Sequence, residues 1–167
     1  MTNFGIFGPK LSGKTTLAKS LSRQFWLKEN LRSLVLDPHN EEWGGQALVF
    51  TDEKQFWQAV WKSRGCLILV EESAATIRRD RALVPVFTRL RHNQHKLGVI
   101  GHSGMDLLPV MRQQLDAIYL FRQPEQAAKV WADNFCEPGL LEATGLNQFE
   151  FIYMQSYGKP FRHKLKP

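Results

Sequence analysis

The sequence predicts an α/β fold, a mostly parallel central sheet with helices on both faces. Three observations lead there. The apolar runs Phe4–Phe7, Ser33–Asp37, Cys66–Val70, Leu97–Gly101 and Ala117–Phe121 are continuous rather than alternating, as strands buried on both faces must be. Segments with helical spacing lie between them, so each strand returns to the sheet by a crossover. The first run leads straight into Gly8-Pro9-Lys10-Leu11-Ser12-Gly13-Lys14-Thr15, which fits the phosphate-loop pattern G-x-x-x-x-G-K-[ST] set between a strand and a helix.

Taken in order, Phe4–Phe7 is the first strand and Thr15–Leu27 the first helix. Ser33–Asp37 is the second strand, ended by Pro38, and Ala47–Phe50 is a short one. Glu53–Ser63 carries Phe56, Val60 and Trp61 on one side of a helix, and Cys66–Val70 is the strongest buried-strand signal. Asp80–His95 reads as a long helix with Pro85 tolerated near its first turn. Leu97–Gly101 is the next strand and Met105–Leu115 a short helix after it. Ala117–Phe121 is followed by Pro124–Phe135, which opens on Pro then Glu as helix starts do. Phe149–Tyr157 is a late strand. The basic run Lys159–Lys166 reads as a solvated end or as a source of phosphate contacts. No repeat, low-complexity tract or linker interrupts the chain, so residues 1–167 are expected to form a single domain with a basic C-terminal tail from about 158.

Hydrophobic content of 43% with 23% charged residues is ordinary for a water-soluble globular protein. Five Trp and 11 Phe are generous for this length, and some are expected at subunit contacts. A net charge of +6 favours an acidic partner, nucleic acid first, although a solubilising surface accounts for the same charge. Cys66 and Cys136 show no metal-ligand spacing and sit in apolar surroundings, which reads as buried free thiols in a reducing compartment. No stretch has the length and apolarity of a membrane span or signal peptide, and a cytoplasmic protein is expected.

The chemistry follows from the loop. Amides of Gly8, Pro9–Ser12 and Gly13, excepting the proline, together with the start of the helix at Lys14, Thr15 and Thr16, are placed to meet the β- and γ-phosphates of a nucleotide such as ATP. Lys14 would neutralise the same oxygens, and the Thr15 hydroxyl would complete a Mg²⁺ shell. The apolar run Leu67–Val70 ends in Glu71 and Glu72. In a nucleotide hydrolase the first acid holds Mg²⁺ through water and the second polarises the attacking water, which makes Glu71 the metal residue and Glu72 the base. Asp37 closes the second strand at the same sheet edge and reads equally as a cofactor contact or a turn former beside Pro38. His102, ending the fourth of the buried runs, reads equally as a γ-phosphate sensor or a turn histidine. Arg79, Arg89, Arg91 and Arg112 are each candidates for a cation reaching into a neighbouring subunit's site. His92 and His95 are spaced one helical turn apart but lack a third ligand, which points to a structural role.

Four stretches in this order, namely the phosphate loop, Val35–Glu41, Leu67–Glu72 and Thr88–His102, resemble the FtsK–HerA superfamily of DNA-pumping ATPases. Within it the chain is similar to the genome-packaging ATPases of tailless, membrane-containing viruses, over most of residues 3–123. Arg91-His92 matches the family's Arg-His pair, and Met111-Arg112 and Leu120–Arg122 match its later signatures. Glu71 stands where the family has Asp, and His102 where it usually has Gln. The resemblance implies a RecA-like phosphate-loop NTPase fold and a homo-oligomeric ring of six subunits with an arginine acting in trans. It also implies translocation of double-stranded DNA into a preformed capsid, with capsid vertex proteins as neighbours. Three other readings stand beside it: a small-molecule kinase of the nucleotide type, for which Arg78–Arg81 is the only lid candidate, a filamentous-phage-type morphogenesis ATPase, and a non-catalytic nucleotide-binding module.

Overall fold

A computed structural model describes residues 3–71 and 84–166. Its strands are β1 (Asn3–Phe7), β2 (Ser33–Leu36), β3 (Ala47–Phe50), β4 (Leu67–Val70), β5 (Lys96–Gly101), β6 (Ala117–Phe121), β7 (Glu150–Gln155) and β8 (Phe161–Lys164). The helices are α1 (Lys14–Glu29), α2 (Glu53–Lys62), α3 (Val84–His92), α4 (Pro109–Arg112) and α5 (Glu125–Phe135), with 3-10 turns at Gly104–Asp106 and Pro138–Gly145. All eight strands form one sheet in the order β3-β2-β4-β5-β1-β6-β7-β8. The first six run parallel, and β7 and β8 add an antiparallel hairpin at one edge. The expected mostly parallel sheet with helices on both faces is what the chain builds.

The continuous apolar runs are explained by two cores. Alternate residues of a strand point to opposite faces. On β4, Ile68 and Val70 join Phe56, Val60, Phe87, Leu90 and Trp131 of α2, α3 and α5. Leu67 and Leu69 join Leu17, Ala18 and Leu21 of α1 on the other face. Each β4 residue is thus packed into one core or the other.

Several local expectations shift. Met105–Leu115 is not one helix, because Ser103 Oγ caps a short turn by accepting from Met105 N. Pro109, which lacks an N–H and so can only begin a helix, then starts α4 afresh. Helix α3 stops at His92, and Gln94 turns the chain with φ 60°. His92 and His95 therefore do not share a helix face. The basic run expected as a solvated end contains β8, whose four side chains are solvent-exposed while its backbone pairs with β7. Cys66 is half-buried and Cys136 exposed, not buried thiols. Cys136 holds the left-handed position that ends α5, where the chain leaves the apolar face.

His95 is the buried linchpin between α2 and β4. Cys66 N donates to its Nδ1 at 3.0 Å, which places the ring proton on Nε2, 3.2 Å from Val60 O. Burial holds its pKa below the usual 6.5.

Candidate functional site

The strand order brings the phosphate loop, Asp37, Glu71 and His102, each just past the end of a parallel strand, to one edge. β5 is inserted between β1, which leads into the phosphate loop, and β4, which leads into Glu71. The loop and the acid thus face each other across one strand, and His102, just past β5, lies between them. The loop closes on the sheet through Gly8 N, which donates to Gly101 O at 3.2 Å.

Two glycines make the loop possible. A Cβ on Gly8 would fall 2.5 Å from Phe121 Cβ, so a side chain there would collide with β6. Gly13 caps α1 with φ 105°, a conformation L side chains avoid. Leu11 takes φ 61° at the loop's crest and is 84% exposed. Ser12 is buried, its hydroxyl without a partner. Lys14 folds back so that Nζ donates to Pro9 O at 2.8 Å, while Pro9, Lys10 and Thr16 are exposed.

Opposite the loop, Thr15 Oγ1 donates to Glu71 Oε1 at 2.9 Å. Glu71 is buried and its Oε2 has no hydrogen-bond partner. Burial pushes its pKa up to about 7, helped by the charges of Asp37 and Glu41, while the Thr15 hydrogen bond and Lys14 oppose the rise. A buried carboxylate oxygen lacking a partner beside a threonine hydroxyl is a hard-oxygen pair of the kind Mg²⁺ prefers. The residues present therefore fit that ion. Glu72, the expected base, lies outside the described residues, as do Arg78, Arg79 and Arg81.

The other predicted residues have definite surroundings. Asp37 Oδ1 accepts from His39 N at 2.9 Å, and its Oδ2 accepts from Glu41 N at 2.9 Å and Trp43 Nε1 at 3.0 Å. Its carboxylate thus shapes the turn that carries His39 and Glu41 to the cleft. His102 Nδ1 lies 3.3 Å from Gly8 O, against the loop. Arg112 donates through Nη1 to Gly104 O at 2.9 Å and Leu107 O at 2.7 Å, tying down its own chain. Arg89 and Arg91 are exposed on α3.

The cleft these residues form has a volume of about 560 Å³, within the range of small-molecule sites. Lys10, Leu11 and Gly13–Thr16 line its middle, and Glu71, His39 and Glu41 one flank. Gln148 and Phe149, which the sequence reading passed over, line it too. Gln148 Nε2 donates to Leu11 O at 3.0 Å, bracing the loop from across the chain. No local motif marks these two residues, and only the hairpin topology reveals them.

The strand order and the loop together define the phosphate-loop NTPase fold. No protein-family model and no curated protein matches the chain. Solved structures do. The chain superposes on the genome packaging NTPase B204 from Sulfolobus turreted icosahedral virus 2 in complex with AMPPCP with a TM-score of 0.80 and 19% identity, covering 98% of this chain and 97% of that one. VirB4 of Thermoanaerobacter pseudethanolicus gives 0.75 at 9% identity, over 99% and 89%. The N-terminal domain of zonular occludens toxin from Neisseria meningitidis gives 0.63 at 13% identity, over 99% and 93%. The resemblance drawn from the sequence is thus met at the level of the fold.

Proposed function

We propose that the chain is an ATP-hydrolysing motor that moves double-stranded DNA, packaging a viral genome into a preformed capsid. One observation carries this reading: the Thr15–Glu71 hydrogen bond, which ties the end of the phosphate loop to the acid across one intervening strand. The likeness to B204, solved with AMPPCP and with ATP-gammaS, supports the same reading.

In this mechanism the amides of residues 8–13 and the α1 N-terminus bind the triphosphate. Lys14 exchanges its contact with Pro9 O for phosphate oxygens. Thr15 and Glu71 would hold Mg²⁺, Glu71 by way of water. A bound Mg²⁺ supplies charge neutralisation at the phosphate oxygens. Glu71 binds in its charged form, so nucleotide loading releases the proton that burial favours. Glu72, next in the chain, orients and deprotonates the attacking water. His102, between loop and acid, reports the state of the γ-phosphate to β5. Subunits form a homo-oligomeric ring, hexameric by analogy with the superfamily, in which Arg91 or Arg112 of one subunit serves the next, Arg112 after releasing its carbonyl partners. DNA is gripped by pore-facing loops and by the exposed basic side chains of β8, and the motor acts in the host cytoplasm or at the capsid vertex.

The test is an ATPase assay with and without duplex DNA, alongside a solution mass measurement. Turnover should rise with duplex and the rise should shrink with salt, because the DNA contacts are largely electrostatic. Lys14→Ala should abolish turnover. Wild-type turnover in that variant, or phosphate transfer to a small acceptor with no response to DNA, would overturn the reading.

A further inference from the structure

The cleft is chemically two-ended. Glu41, Glu71 and His39 line it together with the loop, and Gln148 and Phe149 add a wall from the turn before β7. That ring is half-buried, and among the described residues no other aromatic ring stacks on it.

Phe149 is held where a bulky residue is costly. Its φ is 64°, in the left-handed region that an L-residue with a side chain avoids. The surroundings enforce it. Leu165 N donates to Phe149 O at 2.8 Å, and Glu150 N donates to Asn147 O at 3.1 Å. Asn147 N donates to Glu150 Oε2 at 2.8 Å, and Arg162 Nη2 clamps the same oxygen at 2.6 Å. Phe149 Cδ1 would lie 3.1 Å from a Cβ on Gly13, so the ring abuts the phosphate loop itself. Strain of this kind persists where the fold over-determines it, and it concentrates at ligand clamps.

We propose that Phe149 is the nucleobase platform of this site: the planar base of a nucleoside triphosphate stacks on its ring while the triphosphate lies in the loop. The proposal rests on the nucleotide reading above and adds the base subsite to it. An aromatic face at one end and an anion cradle at the other match a ligand that is flat and apolar-faced at one end and polyanionic at the other. Gln148, which braces Leu11 O, keeps the two ends in register.

The experiment compares ATP-gammaS with inorganic tripolyphosphate, both with Mg²⁺, by calorimetry on wild type, Phe149→Ala, Phe149→Leu and Phe149→Trp. Leucine keeps apolar bulk against Gly13 but has no flat face, which guards against a variant that fails to fold. Phe149→Ala and Phe149→Leu should bind ATP-gammaS about tenfold or more weakly, as loss of one base stack does, with tripolyphosphate affinity unchanged. Phe149→Trp should bind both as wild type does. Equal loss of both probes would make the ring a loop support and overturn the proposal. So would ATP-gammaS affinity that survives Phe149→Leu. Wild-type protein that binds neither probe would sink the nucleotide reading as well, whereas tripolyphosphate binding alone would sink only the base platform.

Discussion

Thr15 and Glu71, one at the start of α1 and one at the end of β4, share a hydrogen bond of 2.9 Å with the carboxylate's second oxygen buried and unpartnered. This pair stores a conflict, since the fold buries an acid that nucleotide binding would require charged.

The conflict is measurable as pH dependence. Glu71 titrates near 7 in the fold and at 4.5 in an ordinary setting. Between these values the native state keeps a proton that the unfolded chain releases. The stability of the nucleotide-free protein is therefore full below about pH 4.5 on this account and falls as pH rises through about 7. Glu71→Gln removes this dependence. Urea melts should show the variant gaining up to about 3 kcal/mol on wild type between the acid and alkaline ends of that window. Parallel profiles would refute a raised Glu71.

Glu72→Gln separates binding from chemistry. The variant should bind ATP with near-wild-type affinity and turn over at least about a hundredfold more slowly, as expected for loss of a general base. Single-turnover assays with Glu71→Gln alongside decide the assignment, because a dead Glu71→Gln with an active Glu72→Gln would reverse the roles.

His95 bears on the scaffold rather than the site. Its removal leaves the Cys66 N–H without its partner, and His95→Ala should cost about 2–3 kcal/mol in chemical denaturation. Its pKa is held below 6.5, so its contribution is present above that value and is lost as pH falls below it, where the unfolded chain takes up a proton. The difference between wild type and His95→Ala should therefore shrink in acid.

Gly13→Ala tests the loop's geometry. The new Cβ would meet φ 105° and sit 2.8 Å from Leu165 Cδ1. A loss of about 1–2 kcal/mol is expected from the backbone alone, accompanied by failure to bind ATP-gammaS. Normal binding would mean the loop accepts a side chain at a backbone conformation that disfavours one.

The sequence carried the sheet and the loop because both are local statements. A continuous run such as Leu67–Val70 reports burial on both faces, and the Gly8–Thr15 spacing reports a backbone shape. Asp37 was ambiguous because one carboxylate can serve a turn or a ligand, and only the donors at His39, Glu41 and Trp43 decide where its oxygens are spent. Arg112 looked available until its carbonyl partners were visible. Phe149 was invisible for a different reason: its relation to Gly13 is created by an antiparallel return of the chain, and no periodicity or motif encodes such a meeting.

Leu165, beside Gly13 and donating its N–H to Phe149 O, has a consequence for synthesis. Vectorial translation delivers the phosphate loop long before its outer wall. A nascent chain still sheltering β8 in the ribosomal tunnel therefore has no finished pocket, and ATP cannot assist its folding until β8 has emerged.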